Sequence, residues 1–231
     1  MTSAHEFTPD ILYQDDHLVI VNKPSGLMVH RGPAPDTVVA MTLVRDAIGA
    51  YVYPVHRLDR GTSGALVFAL SSASARAIQE SFAARQVEKW YIALVRGIAP
   101  ASGVIDHAIQ KREGGPRVDA VSEFRRVFET DNPGHYSVVQ VMPRSGRRHQ
   151  VRRHLKHISH PIIGDVRYGK GPHNRLFRSR FNLHRLALHA QAIRFPHPVT
   201  DASVSVSAPL PDDLAMPLNA LGAPTQFEWS T

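Results

Sequence analysis

The stretch VHRLDRGTSGALVFAL, residues 55–70, sets a carboxylate at the entrance to an apolar run. Asp59 lies between two arginines, a Gly-Thr-Ser-Gly turn follows, and ALVFAL then predicts a buried strand. In an extended segment residues two apart point to the same side, so Arg57 and Asp59 project together while Leu58 faces the core. A nearby guanidinium favours the charged carboxylate, which predicts an ionised nucleophile or base. A structural ion pair at a strand end fits the same residues.

Short strand patterns surround this stretch on both sides. Residues 11–26, ILYQDDHLVIVNKPSG, predict two strands joined at Asp15–Asp16. Further runs rich in β-branched and aromatic residues predict strands at KWYIALVRG (89–97), GVIDHAIQ (103–110), VSEFRRVFE (121–129), HYSVVQVMP (135–143) and SVSVSA (203–208). The chain is therefore strand-rich along most of its length.

Helical patterns are fewer and do not alternate regularly with the strands. DTVVAMTLVRDAIG (36–49) predicts a helix with Asp36 as N-cap, and SSASARAIQESFAARQ (71–86) predicts a second, capped by Ser71 or Ser72. A final helix is predicted after SVSVSA. This order favours an α+β fold, with a mixed, mostly antiparallel sheet flanked by helices and loops, over a doubly wound parallel sheet.

Composition bounds the class of protein. With 231 residues and 43% hydrophobic content, we expect one domain over 1–231, with a core at about 11–208 and a short C-terminal extension. No apolar run reaches the roughly 18 residues of a membrane span, and the start lacks the apolar segment of a secretory signal. Cysteine is absent, which excludes disulfides and thiolate zinc sites. We therefore expect a cytoplasmic protein with no membrane partner.

Positive charge is concentrated in one part of the chain. The sequence has 27 Lys and Arg against 20 Asp and Glu, and the segment 144–185 holds 12 Lys or Arg with one acid, Asp165. Such a block is typical of a surface that binds a polyanion, because each cation near a phosphate releases condensed counterions. A solvated basic face is the alternative, but the apolar residues and turn signals between these cations favour folded structure.

Six motifs occur in the order and approximate spacing of a known enzyme family. They are VNKPSGLMVH (21–30), HRLDRGTSG (56–64), KWYIALVRG (89–97), GRRHQVRRHL (146–155), HPIIGDVRYG (160–169) and RLALHA (185–190). Over about residues 11–208 the chain thereby resembles the RluA-type pseudouridine synthases. The resemblance implies the catalytic fold of that family and an isomerase that converts uridine to pseudouridine in RNA, with no cofactor and no metal.

The same resemblance indicates a substrate. We expect no separate RNA-binding module before the core, and the motifs look most like a short subtype that modifies uridine 65 of tRNA. We therefore expect a monomer whose partner is tRNA. Ribosomal RNA is the alternative substrate, and a non-catalytic RNA-binding module is the alternative to an enzyme.

The resemblance also implies the site residues. Asp59 matches the catalytic aspartate, Arg152 matches the arginine that pairs with it, and Tyr91 matches a tyrosine that can stack on uracil and help to take the C5 proton. Substrate contacts are expected from the side chains close to these motifs: His56, Arg57, Arg60, Arg147, Arg148, His149, Gln150, Arg153 and Lys156. Arg57 is expected to occupy the space that the flipped base leaves.

Four histidines raise a rival prediction of a zinc site. His149, His154, His157 and His160 are spaced by five, three and three residues, which does not match H-E-x-x-H, and no acid lies among them. We therefore expect RNA contacts or helix-end capping from these side chains and no metal.

Overall fold

The computed structural model describes residues 8–31, 38–112 and 114–229. The chain divides into two compact units, each made of two segments. The first unit comprises Met1–Val87 and Ile193–Ala208, and the second comprises Glu88–Ala192 and Pro209–Thr231. The chain therefore returns to the first unit late in the sequence, which no local pattern predicts.

Twelve strands and five helices follow one another in the described residues. In chain order they are β1 (Ile11–Gln14), β2 (Leu18–Lys23), α1 (Ala40–Ile48), β3 (Tyr53–Pro54), β4 (Ser63–Ala69), α2 (Ser72–Ala83), β5 (Glu88–Arg96), β6 (Ser102–Asp106), β7 (Ile109–Gln110), β8 (Arg117–Val118), β9 (Val121–Thr130), β10 (Tyr136–Pro143), α3 (Gln150–His157), α4 (Gly171–Phe181), β11 (Leu188–Pro196), β12 (Ser203–Ser207) and α5 (Asp212–Ala220). The predicted α+β class with a mixed, mostly antiparallel sheet is confirmed. None of the helices in these described segments is long and apolar enough to cross a bilayer.

In the first unit, β2 pairs antiparallel with β1 on one side and with β4 on the other, and β3 also pairs with β4. Every residue of β4 is buried, as the ALVFAL run predicts. The core of this unit includes Leu18 and Ile20 of β2, Val67 of β4, Ile78 of α2 and Phe195 of β11, each at most 1% exposed. β12 alternates exposed serines with buried valines, so the period-2 pattern of SVSVSA is confirmed.

The helix starts of the first unit differ in their capping. Helix α1 begins after Val39, whose side chain makes no capping bond, so the predicted N-cap is wrong; Asp36 itself lies outside the described residues. The helix ends at Ile48 and is followed by Gly49 in the left-handed conformation, with φ = 68°. At α2 the backbone N–H of Ser74 donates to Ser71 Oγ at 3.0 Å, which identifies Ser71 as the cap.

In the second unit, β5, β10, β9 and β6 lie in that order and each pairs antiparallel with the next. The predicted single strand over 103–110 is wrong, because the segment divides into β6 and β7 and the latter forms a separate hairpin with β8. Two hydrogen bonds hold the residues between β6 and β7. His107 N donates to Ala120 O at 3.1 Å, and Arg117 Nη1 donates to Ala108 O at 2.9 Å.

Helix α4 was absent from the predicted elements. Its sequence, GPHNRLFRSRF, is mostly polar and basic, yet Phe177 is fully buried and packs edge-on against Tyr136 with ring centroids 4.7 Å apart. The local signals are a proline in the first turn and a left-handed Asn182 after the last. One buried aromatic in eleven residues is too sparse to produce a clear helical period.

The C-terminal segment packs on the second unit. Leu214 and Leu218 of α5 lie in its core. Beyond the helix, Gln191 Nε2 donates to Phe227 O at 2.6 Å and Gln140 Nε2 donates to Glu228 O at 3.1 Å. Two buried glutamines therefore bind the backbone of the tail. The tail sequence has no hydrophobic period that predicts this contact.

Two glycines with positive φ provide a stability test. Gly164 (φ +78°) has Arg185 O only 1.9 Å from the position of an added Cβ, whereas Gly222 (φ +79°) has no atom within 4 Å of that position. We expect Gly222→Ala to lower the free energy of unfolding by about 1 kcal/mol through backbone strain alone. Gly164→Ala adds displacement of the backbone and should cost about 3 kcal/mol or more. Urea denaturation measures both, and equal losses would contradict the close approach at Gly164.

Candidate active site

Asp59 lies on the turn that precedes β4 in the first unit. Leu58 is 4% exposed, Arg57 is exposed and Asp59 is half-buried, so the predicted inward direction of Leu58 is confirmed. The carbonyl of Asp59 accepts a hydrogen bond from Thr62 N at 3.0 Å. The carboxylate therefore sits on a closed turn at the edge of a buried strand.

A buried ammonium group supports this turn. Lys23, at the end of β2, is 1% exposed, and its Nζ donates to Pro24 O and Leu27 O, both at 2.8 Å, and to Arg60 O at 3.4 Å. An ammonium group can be buried only when its N–H groups find acceptors. The contact to Arg60 O joins the Lys-Pro-Ser-Gly segment to the residue after Asp59.

Further hydrogen bonds join the same two turns. Gly26 N donates to Arg60 O at 2.8 Å, Arg60 Nε donates back to Gly26 O at 2.9 Å, and Ser25 Oγ donates to Gly61 O at 2.8 Å. Arg60, predicted to contact substrate, thus uses its Nε within the protein.

His56 also braces the turn. Its Nε2 accepts a hydrogen bond from Val67 N on β4 at 3.0 Å, and its ring lies 5.4 Å from that of Phe82. Because Nε2 is the acceptor, the imidazole is neutral with its proton on Nδ1. This places His56 as a support between the Asp59 turn and β4.

Tyr91 lies in the second unit, on β5, where it is opposite Val141 of β10. Its half-buried ring packs against the hydrophobic core of that unit. The pairing of β5 with β10 and the packing on this core therefore fix the position of the tyrosine.

Arg152 lies on α3 of the second unit and forms a bidentate salt bridge with Asp165. Nε donates to Oδ2 at 2.8 Å and Nη2 donates to Oδ1 at 2.9 Å, with side-chain exposures of 11% and 0%. Burial raises the pKa of Asp165, but the bonds from Arg152 and from the backbone N–H groups of Tyr168 and Arg167 outweigh it, so the pKa lies below its usual value. Asp165 was not among the predicted site residues, although it is the one acid in the basic segment.

Tyr168 gathers cations around its ring. The Cζ of Arg152 lies 5.1 Å from the ring centroid, that of Arg167 5.7 Å, and the Nζ of Lys156 5.9 Å. The hydroxyl lies 3.1 Å from Nδ1 of His149, which precedes α3 in the left-handed conformation at φ = 55°. Tyr168 was also missed, because its role depends on contacts between α3 and the following loop.

Two of the predicted contacts around the start of α3, Arg148 and Gln150, differ in exposure. Arg148 is exposed, whereas Gln150 is 4% exposed and its side chain is used within the fold. Gln150 Oε1 accepts from Ser145 Oγ and Arg147 N, and Nε2 donates to Val121 O at 2.9 Å. Gln150 thereby stabilises the turn that contains Arg147 and Arg148.

Two other arginines predicted to contact substrate each donate one side-chain hydrogen bond within the protein. Arg147 Nε donates to Asp119 O at 3.2 Å and Arg153 Nη1 donates to Gln110 O at 2.8 Å. Lys156 is exposed on α3.

Three of the four clustered histidines have partners elsewhere. His154 is buried and contacts Ser122 Oγ and His107 O, His157 stacks on His107 with centroids 3.6 Å apart, and His160 contacts Arg96 O at 3.0 Å. Within the described part of the chain, no three His, Asp or Glu side chains are grouped so that they could hold a metal ion.

Lys89 has the most perturbed pKa near Tyr91. It lies on β5 two residues before the tyrosine, and its Nζ donates to Ser145 O at 3.5 Å. Burial lowers the pKa of Lys89 to about 8. The KWY motif predicted a role for its tyrosine alone, because the sequence of a strand does not indicate whether a lysine in it is buried.

Comparison with known proteins identifies the class of protein to which this chain belongs. The family description "RNA pseudouridylate synthase" matches residues 17–157, and the chain belongs to this family, in its RluA branch. It is a pseudouridine synthase, an isomerase.

Individual relatives support this membership. The chain is 41% identical to tRNA pseudouridine synthase C of Vibrio parahaemolyticus, with 95% of each chain covered. It is 39% identical to the protein of that name from Yersinia pestis, over 96% of this chain and 91% of the relative. Human RNA pseudouridylate synthase domain containing 1 superimposes with a TM-score of 0.76 at 25% identity, over 99% of this chain and all of the other. Human RNA pseudouridylate synthase domain containing 4 gives 0.75 at 28%, over 92% and 93%.

The lowered pKa of Lys89 can be measured directly. An unfolded lysine has a pKa of about 10.4. The unfolded chain therefore binds this proton more tightly between pH 8 and 10.4, and stability should rise with pH across that window by the contribution of Lys89. We expect one lysine Cε resonance to titrate with a midpoint at about 8 in carbon-13 NMR and to vanish in Lys89→Met. A Lys89 midpoint near 10.4 would contradict the burial.

Proposed function

We propose that this pseudouridine synthase acts on tRNA, at uridine 65. The main support is the 41% identity over 95% of the chain to a protein named tRNA pseudouridine synthase C. The exposed cations of the segment 144–185 supply the positive surface that a folded RNA requires. The subtype resemblance of the motifs supports the position, in the T-arm near its junction with the acceptor stem.

The proposed reaction rearranges bonds without net oxidation or hydrolysis. The C1′–N1 glycosidic bond breaks, the uracil turns while it stays bound, and C5 joins C1′. The proton of C5 then leaves and N1 gains one, so atoms and charge balance. A carboxylate can assist either by covalent attack on the nucleotide or by removal of a ribose proton.

Asp59 carries this role in the proposal. Its turn is fixed by Lys23, whose Nζ donates to the carbonyl of the next residue, Arg60, and by Thr62, whose backbone N–H donates to the carbonyl of Asp59. Arg152 is proposed to orient the carboxylate of Asp59 through guanidinium N–H groups other than the two that Asp165 accepts from, because a planar guanidinium has five donors and can serve two carboxylates. Lys at this position would offer only a point charge.

Tyr91 and Arg57 are proposed to handle the base. The half-buried ring of Tyr91 offers a face on which uracil stacks, and its phenol can help to take the C5 proton. The target uridine lies in a duplex, so flipping costs a few kcal/mol. Exposed Arg57 can fill the space that the base leaves.

Backbone contacts are proposed for the exposed side chains of Arg148 and Lys156, assisted by Arg147, Arg153 and His149. His56, Arg60 and Gln150 are assigned mainly to support, because each hydrogen-bonds within the protein. Of the predicted contacts, those that remain exposed therefore carry most of the electrostatic attraction.

The function is tested with unmodified full-length tRNA and ribosomal RNA fragments, mapped for pseudouridine site by site. We expect the wild type to modify tRNA, and Asp59→Asn to lower turnover by about 1,000-fold or more with RNA affinity nearly unchanged, because an amide is neither nucleophile nor base. Asp16→Asn, an exposed acid of the same unit, is the control. Modification confined to ribosomal RNA would overturn the substrate, and an active Asp59→Asn would overturn the catalytic role.

A second experiment separates orienting from binding arginines. We expect Arg152→Lys to lower turnover by about 100-fold while the dissociation constant for tRNA changes by less than about threefold. Arg148→Ala should instead weaken binding and reduce the slope of log affinity against log salt by about one. Arg76→Ala on α2, outside the basic segment, should leave both unchanged. If Arg152→Lys resembled Arg148→Ala, its proposed role would be wrong.

A further inference from the structure

The salt bridge behind Arg152 is built to hold one orientation. Asp165 engages Nε and Nη2 of the guanidinium, and the side chains are 0% and 11% exposed respectively. Because the guanidinium is planar, two bonds on one edge fix both its plane and its direction. The opposite edge, with Nη1, is then presented in a single direction.

The carboxylate of Asp165 is itself held by the loop that contains it. Oδ1 also accepts from Arg167 N and Tyr168 N, both at 2.9 Å. Its backbone carbonyl accepts from Gly169 N and from Asn174 Nδ2, both at 3.0 Å. An added Cβ at Gly169 would lie 2.2 Å from that carbonyl, so this close approach requires glycine. The residue that anchors Arg152 is therefore itself held by four hydrogen bonds.

Stability is a weak reason for such a pair. Breaking a buried ion pair is costly, but an apolar pair of similar volume is often as stable. What only the ion pair supplies is a guanidinium with a fixed direction. Tyr168, 5.1 Å from the Cζ of Arg152, confines the same group from a third side.

We propose that Asp165 is a positioning residue for the isomerisation, acting through Arg152. It holds the guanidinium in the orientation in which Arg152 acts on the carboxylate of Asp59, and it has no contact of its own with the nucleotide. This rests on the proposed function, because the role of Arg152 does.

A double-mutant cycle tests whether Asp165 acts through Arg152. The variants are Asp165→Asn, Arg152→Gln and the double variant, and the measurement is the single-turnover rate at saturating enzyme with the dissociation constant for tRNA. We expect each single variant to lower the rate by about 100-fold, with affinity within about threefold. The double variant should be no slower than Arg152→Gln, because the two residues act as one unit. Multiplied losses would overturn the proposal.

The control removes a carboxylate from another buried arginine of the same unit. Asp213 Oδ1 accepts from Arg185 Nη1 at 2.7 Å, and Arg185 is 9% exposed. Asp213→Asn should lower the melting temperature but leave the single-turnover rate within about twofold of the wild type. An equal rate loss in Asp213→Asn and Asp165→Asn would show a general structural effect and overturn the proposal.

Asp165→Glu covers the case in which Asp165→Asn fails to fold. Glu keeps the charge, so no guanidinium is buried alone, but it displaces the carboxylate by one methylene. We expect a rate about tenfold or more below the wild type at unchanged affinity. A rate within about twofold would overturn the proposal.

Solvent exchange of the Arg152 Nε–H, measured by nitrogen-15 NMR, is a readout independent of activity. We expect slow exchange in the wild type and exchange about tenfold or more faster in Asp165→Asn, or in Asp165→Glu where that variant is used. Unchanged exchange would overturn the proposal. If the wild type formed no pseudouridine in either RNA, the proposed function would fail, while the exchange rate would still decide whether Asp165 orients Arg152.

Discussion

The ammonium group of Lys23 is the constraint on which the first unit depends. A lysine that is 1% exposed is tolerated because backbone carbonyls accept from its Nζ, and one of those carbonyls belongs to Arg60. The requirement to satisfy this buried cation therefore ties the end of β2 to the turn of Asp59. The position of Asp59, the carboxylate proposed to react, therefore depends on a hydrogen-bond requirement elsewhere in the chain.

The arginines of the second unit fall into two groups, those in buried ion pairs and those exposed to solvent. Arg152 and Arg185 are buried and neutralised by Asp165 and Asp213, so they contribute geometry more than surface potential. Other cations of the basic segment, such as Arg148, remain exposed. Net charge alone cannot distinguish these groups, because a buried ion pair and a solvated arginine look identical in a composition. The exposed positive charge of this unit is accordingly smaller than the count of Lys and Arg in its sequence indicates.

Local patterns predicted much of the secondary structure for clear physical reasons. The strands β1, β2, β4, β5, β9, β10 and β12 follow from β-branched runs, and Ser71 caps α2 through a contact three residues away. Predictions failed where distant contacts decide. β6 pairs with β9 whereas β7 pairs with β8, and α4 is stabilised by the packing of Phe177 on Tyr136.

The sequence by itself determined the family and the direction of Leu58, and it predicted Asp59 as the candidate carboxylate, because these depend on motif order and on the alternation of an extended chain. Only the tertiary structure decided that Arg152 forms a salt bridge with Asp165, that the side-chain amide of Gln150 is hydrogen-bonded within the protein and that Lys89 has a lowered pKa. Each of those facts depends on burial and on partners in other elements. The residues adjacent in the sequence indicate neither the burial of a side chain nor its partners in other elements.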